Sequence, residues 1–294
     1  MREIIVTTES GNDLPPHLIE KYNIYVVNMH ISMDGETYAD RSIPVEKIFD
    51  YYERTQKIPS TSAANVYDFQ TTFEKIHQEH PGCVIFHLAY SAATTASYQN
   101  AKIAAEDMED IYFVDTQNVS GGSTAYIAKA MELIQKRQAL LPDTKDAYEK
   151  LAAELSAMAA FVHFSFLPGN LDFLKAGGRV SNAAYLGARL LRIKPLIELI
   201  EGKLVATKKY FGPTDHLVHR FLDEFVKKNN ISKEALYLVN TAGLSNAIKD
   251  KLIATAKSMG FQHVELNPCG LAITCHSGPA SIGVGGWEVS LEQI

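Results

Sequence analysis

The stretch Val84–Met108, VIFHLAYSAATTASYQNAKIAAEDM, decides the fold. It opens as an apolar run rich in strand-forming residues, passes through small hydroxyl-bearing turn residues, and continues with apolar positions at helical spacing. The same order recurs on both sides of it. Residues 4–7, 25–31 and 111–116 are further strand-like runs, and residues 15–22, 66–80 and 123–136 are further helical segments. Strands alternating with helices predict a parallel sheet covered by helices, with ligand-binding loops at the carboxyl ends of the strands. Asp34-Gly35 predicts a small hairpin within this half.

From Lys145 the order changes. A helix, a strand and two short helices around Gly177-Gly178 lead to an apolar alternation broken by Glu201-Gly202, which predicts a hairpin in an antiparallel region. A strand at 237–242, a helix at 248–259 and strands at 263–268 and 271–275 complete the chain. The expected architecture is two α/β domains with ligand bound between them. Residues 1–155 carry the parallel sheet and residues 156–294 a mixed or antiparallel one.

Composition narrows the function. The 294 residues are 46% hydrophobic and 21% charged, enough for two modest cores. A formal charge of −6 gives no basic footprint for nucleic acid or an anionic membrane. The N-terminal MREIIVTTESG reads as a strand and not as a signal peptide, and no apolar stretch approaches membrane-spanning length, so no integral membrane association is expected. Cys83, Cys269 and Cys275 lack C-x-x-C spacing, which points away from disulfides and towards a reducing cytoplasm.

Several chemistries can be tested against the residues they need. No phosphate-binding glycine loop of the ATP or dinucleotide kind is present, and Gly121-Gly122 reads as a flexible helix entry. His77 and His80, like His216 and His219, are spaced i,i+3 without a metal-binding motif, and they read as surface histidines. No metal and no cofactor are expected. G-x-S-x-G is absent, and Cys275 beside His276 on an extended strand would point away from it. What remains is a set of hydroxyls at strand ends: Thr8, Ser10, Thr61, Ser62, Ser91, Thr94, Thr95, Ser97 and Thr116. Helix capping accounts for most of them, and a few can also bind an anion. In the second half, Gly177-Gly178 stops a helix and projects the guanidinium of Arg179.

In order and spacing these segments resemble the DegV family over nearly the whole chain. The family's T-D-S-x-x-D-L-P is similar to Thr8–Pro15, P-x-T-S to Pro59–Ser62, and L-x-x-G-G-R to Leu174–Arg179. Ile193-Lys194-Pro195, Glu201-Gly202-Lys203 and His276-Ser277-Gly278-Pro279 match as well. Glu9 replaces an aspartate and Ala280 a glycine. The loop Ser91–Tyr98 has Thr95-Ala96 where the family has Ser-Gly.

The resemblance implies a long-chain fatty-acid carrier, itself not an enzyme, that presents its ligand to a separate ATP-binding fatty-acid kinase subunit for phospholipid synthesis. It assigns the carboxylate to Thr61, Ser62, Thr95 and His276. Arg179, with Gly177 and Gly178, is expected at the cleft mouth or a partner-docking surface. The apolar residues of the second half, chiefly Phe164, Phe166, Leu171, Leu186, Leu190 and Ile193, are candidates for the tail lining. Two other functions fit the same cleft: a small-molecule enzyme with His276 as acid or base, and a lipid-sensing regulator.

Overall fold

The apolar runs of the first half form one sheet in the computed structural model of the chain, which describes residues 2–182 and 193–293. In chain order this half contains β1 (Ile4–Glu9), α1 (Pro16–Tyr22), β2 (Tyr25–Val27), β3 (His30–Met33), β4 (Glu36–Ala39), α2 (Glu46–Thr55), β5 (Ser60–Ser62), α3 (Val66–Glu79), β6 (Val84–Ala89), α4 (Ser97–Ala104), β7 (Ile111–Asp115), α5 (Ser120–Gln138) and α6 (Lys145–Met158). Strands β2, β1, β6 and β7 lie side by side in that order, every pair parallel.

The run at 25–31, expected as one strand, is two. β2 ends the parallel sheet, while β3 leaves to pair with β4 and β5 in a three-stranded sheet. Met29 marks the break. Its N–H donates to the Ser10 hydroxyl at 3.0 Å and its carbonyl accepts from the Asp40 N–H at 2.7 Å, so both backbone groups are satisfied outside either ladder. The β3–β4 hairpin turns at Asp34-Gly35, with φ of 54° and 81° as a two-residue turn needs.

The second half contains β8 (Val162–Leu167), α7 (Leu171–Gly177), β9 (Ile193–Ile200), β10 (Lys203–Phe211), α8 (Thr214–Lys228), β11 (Ala235–Asn240), α9 (Asn246–Ser258), β12 (His263–Pro268), α10 (Leu271–Ser277) and β13 (Ile282–Trp287). Its sheet has the order β10-β9-β8-β13-β11-β12 and is mixed, β11–β12 being the parallel pair. The expected β9–β10 hairpin turns at Glu201-Gly202. The expected strand at 271–275 is instead helix α10. Asp40 caps it from the other half: its Oδ1 accepts from the Leu271 and Ala272 N–H groups at 2.7 and 3.2 Å. A fixed tertiary cap outweighs the β-propensity of Ile273 and Thr274.

One core spans both sheets. Val84, Phe86, Tyr126 and Leu155 pack in the same cluster as Tyr237 and Trp287. Position 155 lies within α6, whose buried face joins that cluster. The nineteen-residue α5 touches β8, β11 and β13. Glycines make the approach possible, because a Cβ at Gly285 of β13 would overlap the backbone of Gly121. Gly285→Ala is therefore expected to destabilise the protein by about 1–3 kcal/mol, the usual range for overpacking. A denaturant titration checks this, and an unchanged midpoint would contradict the close packing.

Candidate functional site

Helix α10 is held at its start by two acids from the first half. Besides the Asp40 cap, buried Asp13 accepts from the Gly270 N–H at 2.7 Å and from Arg41 Nη2 at 3.2 Å through Oδ1, and from Ser120 Oγ at 2.6 Å through Oδ2. Burial pushes the Asp13 carboxyl up, while Arg41, Ser120 and the Gly270 amide oppose that shift. Between them the two carboxylates fix the start of the short helix whose last turn carries His276.

His276 Nε2 lies 2.8 Å from Thr61 Oγ1 on β5. Its Nδ1 is buried with no hydrogen-bond partner among the described residues and faces Gly177, where any Cβ would overlap it. A proton on Nδ1 would be a buried donor with no acceptor, so Nε2 carries it and donates to Thr61 Oγ1. That leaves the hydroxyl proton of Thr61 free to point into the cleft. Burial, with a contribution from the Arg179 charge, lowers the His276 pKa to about 4. At neutral pH the imidazole is uncharged and acts as a hydrogen-bonding group.

Thr61, Ser62, Thr95, His276 and Arg179 all line one cleft, part of it open to solvent. Thr95 Oγ1 lies 3.1 Å from Ser97 Oγ. Ala96 has φ −81°, so the backbone here does not require a glycine. Ala280, by contrast, takes φ 58°, the left-handed region that favours glycine. Gly178 ends α7 with φ 63°. From there exposed Arg179 donates to the Gly177 carbonyl at 2.7 Å and the Thr94 carbonyl at 3.4 Å, bracing the rim.

Among the expected tail-lining residues, Phe164 and Phe166 of β8 form part of the cleft wall. Leu171 packs on the neighbouring core cluster, and Ile193 pairs with Phe211 at the outer end of the β9–β10 hairpin. Neither is among the residues around the cleft. Leu186 and Leu190 lie outside the described residues. Several hydroxyls at strand ends serve as structural ties: Thr8 donates to the Leu88 carbonyl, Ser91 to the Gly202 carbonyl and Thr116 to the Ala89 carbonyl.

Sequence reasoning missed Tyr90, Ser120, Asn240, Thr241 and Cys269, which also line the cleft. Asn240 and Thr241 end a strand, so the strand-end rule that selected Thr95 would have found them too. Ser120 has φ 46° at the first position of α5, and no sequence signal marks it.

A family model described as "Uncharacterised protein, DegV family" matches residues 3–288. A fatty acid-binding protein of Thermotoga maritima is 25% identical over 292 residues, 96% of this chain and 97% of its own. A solved structure described as fatty acid binding of a DegV family protein from Thermus thermophilus matches with TM-score 0.84 at 24% identity, over 98% of this chain and 100% of that one. The stearic acid-binding protein of Eubacterium ventriosum matches with TM-score 0.78 at 21% identity over the full length of both. The two structural likenesses show the fold.

Proposed function

The chain belongs to the DegV family, and on that premise we propose that it binds one long-chain fatty acid and presents it to an ATP-dependent fatty-acid kinase subunit. The carboxylate is held by Thr61, Ser62, Thr95 and His276, and the tail lies against Phe164, Phe166 and the apolar wall beyond them. Residues 1–155 and 156–294 act as the two jaws. The first supplies the three hydroxyls, and the second supplies His276, Arg179 and the two phenylalanines. The single observation that carries this reading is the convergence of four polar side chains, from three distant segments, on one largely apolar cleft.

The energetics support it. Burying about 15 methylenes at about 0.8 kcal/mol each contributes on the order of 12 kcal/mol before the costs of association. The tail therefore provides the affinity, and the head group provides orientation. Neutral hydroxyls and an uncharged imidazole replace the hydration that a carboxylate loses, and they place no fixed positive charge on the oxygen to be phosphorylated. Catalysis belongs to the kinase subunit, and this chain needs no cofactor. The three cysteines are unpaired and buried, as suits a reducing cytoplasm. No helix among the described residues is long and apolar enough to cross a membrane.

The test is reconstitution. Protein loaded with octadecanoic acid is mixed with ATP, magnesium and a fatty-acid kinase subunit, and acyl phosphate is trapped with hydroxylamine. Acyl hydroxamate that requires both proteins is expected. Loaded protein that yields none would contradict presentation to a kinase while leaving lipid binding intact.

A further inference from the structure

The inner wall of the cleft is not purely apolar. Tyr90 is 8% exposed and lines the cleft, yet its phenolic hydroxyl has no hydrogen-bond partner among the described residues. Its position is fixed. The backbone N–H donates to Glu9 Oε2 at 2.8 Å, and the ring packs over Gly11 beside Met29. Ser120, 1% exposed, lines the same cleft. Its hydroxyl proton is committed to Asp13 Oδ2 at 2.6 Å, and its oxygen lies 3.7 Å from Cys269 Sγ. Asp13 is itself immobilised by Gly270 and Arg41, so the Ser120 proton has one direction and its oxygen is left as an acceptor. Tyr90 borders the same group: burial raises its phenol pKa, with Asp13 and Cys269 pushing the same way. Ser120 keeps a left-handed backbone at this place, a conformation that persists only where its surroundings enforce it.

A phenol without a protein partner among the described residues and a serine oxygen with acceptor capacity therefore belong to residues that line the same largely apolar cleft. A plain polymethylene chain passing between them would leave the phenol unpaired, at the cost of desolvating it for nothing. A hydroxyl on the ligand accepts from Tyr90 and donates to Ser120, and a ketone accepts from Tyr90 alone. We propose that the cleft selects an acyl chain bearing an oxygen along its length, a hydroxy or oxo fatty acid, recognised by Tyr90 and Ser120. The proposal rests on the fatty-acid reading above and names the class of acid.

The experiment measures dissociation constants for octadecanoic acid and for hydroxyoctadecanoic acids with the hydroxyl at every chain position. Wild type is compared with Tyr90→Phe, which keeps the ring and removes only the hydroxyl, and thermal unfolding verifies that the variant folds. At least one positional isomer is expected to bind about tenfold more tightly than octadecanoic acid to wild type, the order of one buried hydrogen bond. In Tyr90→Phe that ratio should fall to about one. If no isomer gains over octadecanoic acid, or if the ratio survives in Tyr90→Phe, the proposal is wrong. Survival of the ratio with weaker binding of every acid would assign the phenol to the carboxylate. If neither plain nor hydroxylated acids bind, the fatty-acid reading itself has failed.

Discussion

Asp13→Ala is expected to lower the unfolding midpoint by roughly 10 °C. Asp13 is fully buried, and its two oxygens accept from the Gly270 N–H, the Ser120 hydroxyl and Arg41. Alanine would strand a buried N–H and a buried hydroxyl and would leave the guanidinium of Arg41 without its counter-charge. Arg41 is exposed, so the loss comes from the two stranded buried donors, each costing about 1–3 kcal/mol. For a chain of this size each kcal/mol shifts the midpoint by about 2–4 °C. Asp13→Asn keeps the volume and one acceptor oxygen, so it should recover part of the loss. Because Asp13 also holds the start of α10, fatty-acid affinity should weaken in step with stability. Calorimetric scanning of the three proteins checks the order. Equal midpoints for wild type and Asp13→Ala would mean that the clamp on α10 contributes nothing.

Arg179→Ala should abolish acyl-phosphate formation while the protein still loads with fatty acid. Arg179 is exposed on the cleft rim and touches the Gly177 and Thr94 carbonyls, whereas the carboxylate is assigned to four other side chains. On the proposed function, its fixed positive charge on the rim would face the negative charge that accumulates as phosphate approaches the carboxylate. Removing one such preorganised group lowers turnover by about 10²–10³-fold in systems of this kind. Arg179→Lys should restore little, because an ammonium lacks the planar fork that bridges two carbonyls and still faces an anion. The measurement is hydroxamate yield from equal amounts of loaded wild-type and variant protein. Unchanged yield would remove Arg179 from phosphoryl transfer and from contact with the kinase.

Both predictions depend on contacts that sequence periodicity shows only in part. The alternation of strands and helices in the first half was legible because its central strands β1 and β6 are buried on both faces and read as continuous apolar runs. The hairpins at Asp34-Gly35 and Glu201-Gly202 were legible because their turns demand left-handed residues. β13 was not, although it sits near the middle of the mixed sheet. Its sequence IGVGGW has three glycines and little strand propensity, and one of them, Gly285, serves α5, a partner more than 100 residues away in sequence. α10 was misread for a related reason, since its cap is Asp40, from β4's end, and no local residue replaces it.

The head-group residues were legible only through motif order. Thr61, Thr95 and His276 have ordinary neighbours, and nothing in any one segment says that they meet. Tyr90 and Ser120 lay beyond the reach of both approaches. An aromatic residue at the end of an apolar strand reads as core, and a serine before two glycines reads as a helix entry. Their polar atoms acquire meaning once the fold brings them to one wall.

The central claim is that this protein carries a fatty acid in the cleft between its two halves. Native mass spectrometry of the purified protein, followed by organic extraction and identification of what is released, tests it most directly. One fatty acid per chain is the expected result, lost on replacing Thr61 and His276 together. A protein that arrives empty and takes up no acid from a panel of plain and hydroxylated chains would contradict the account.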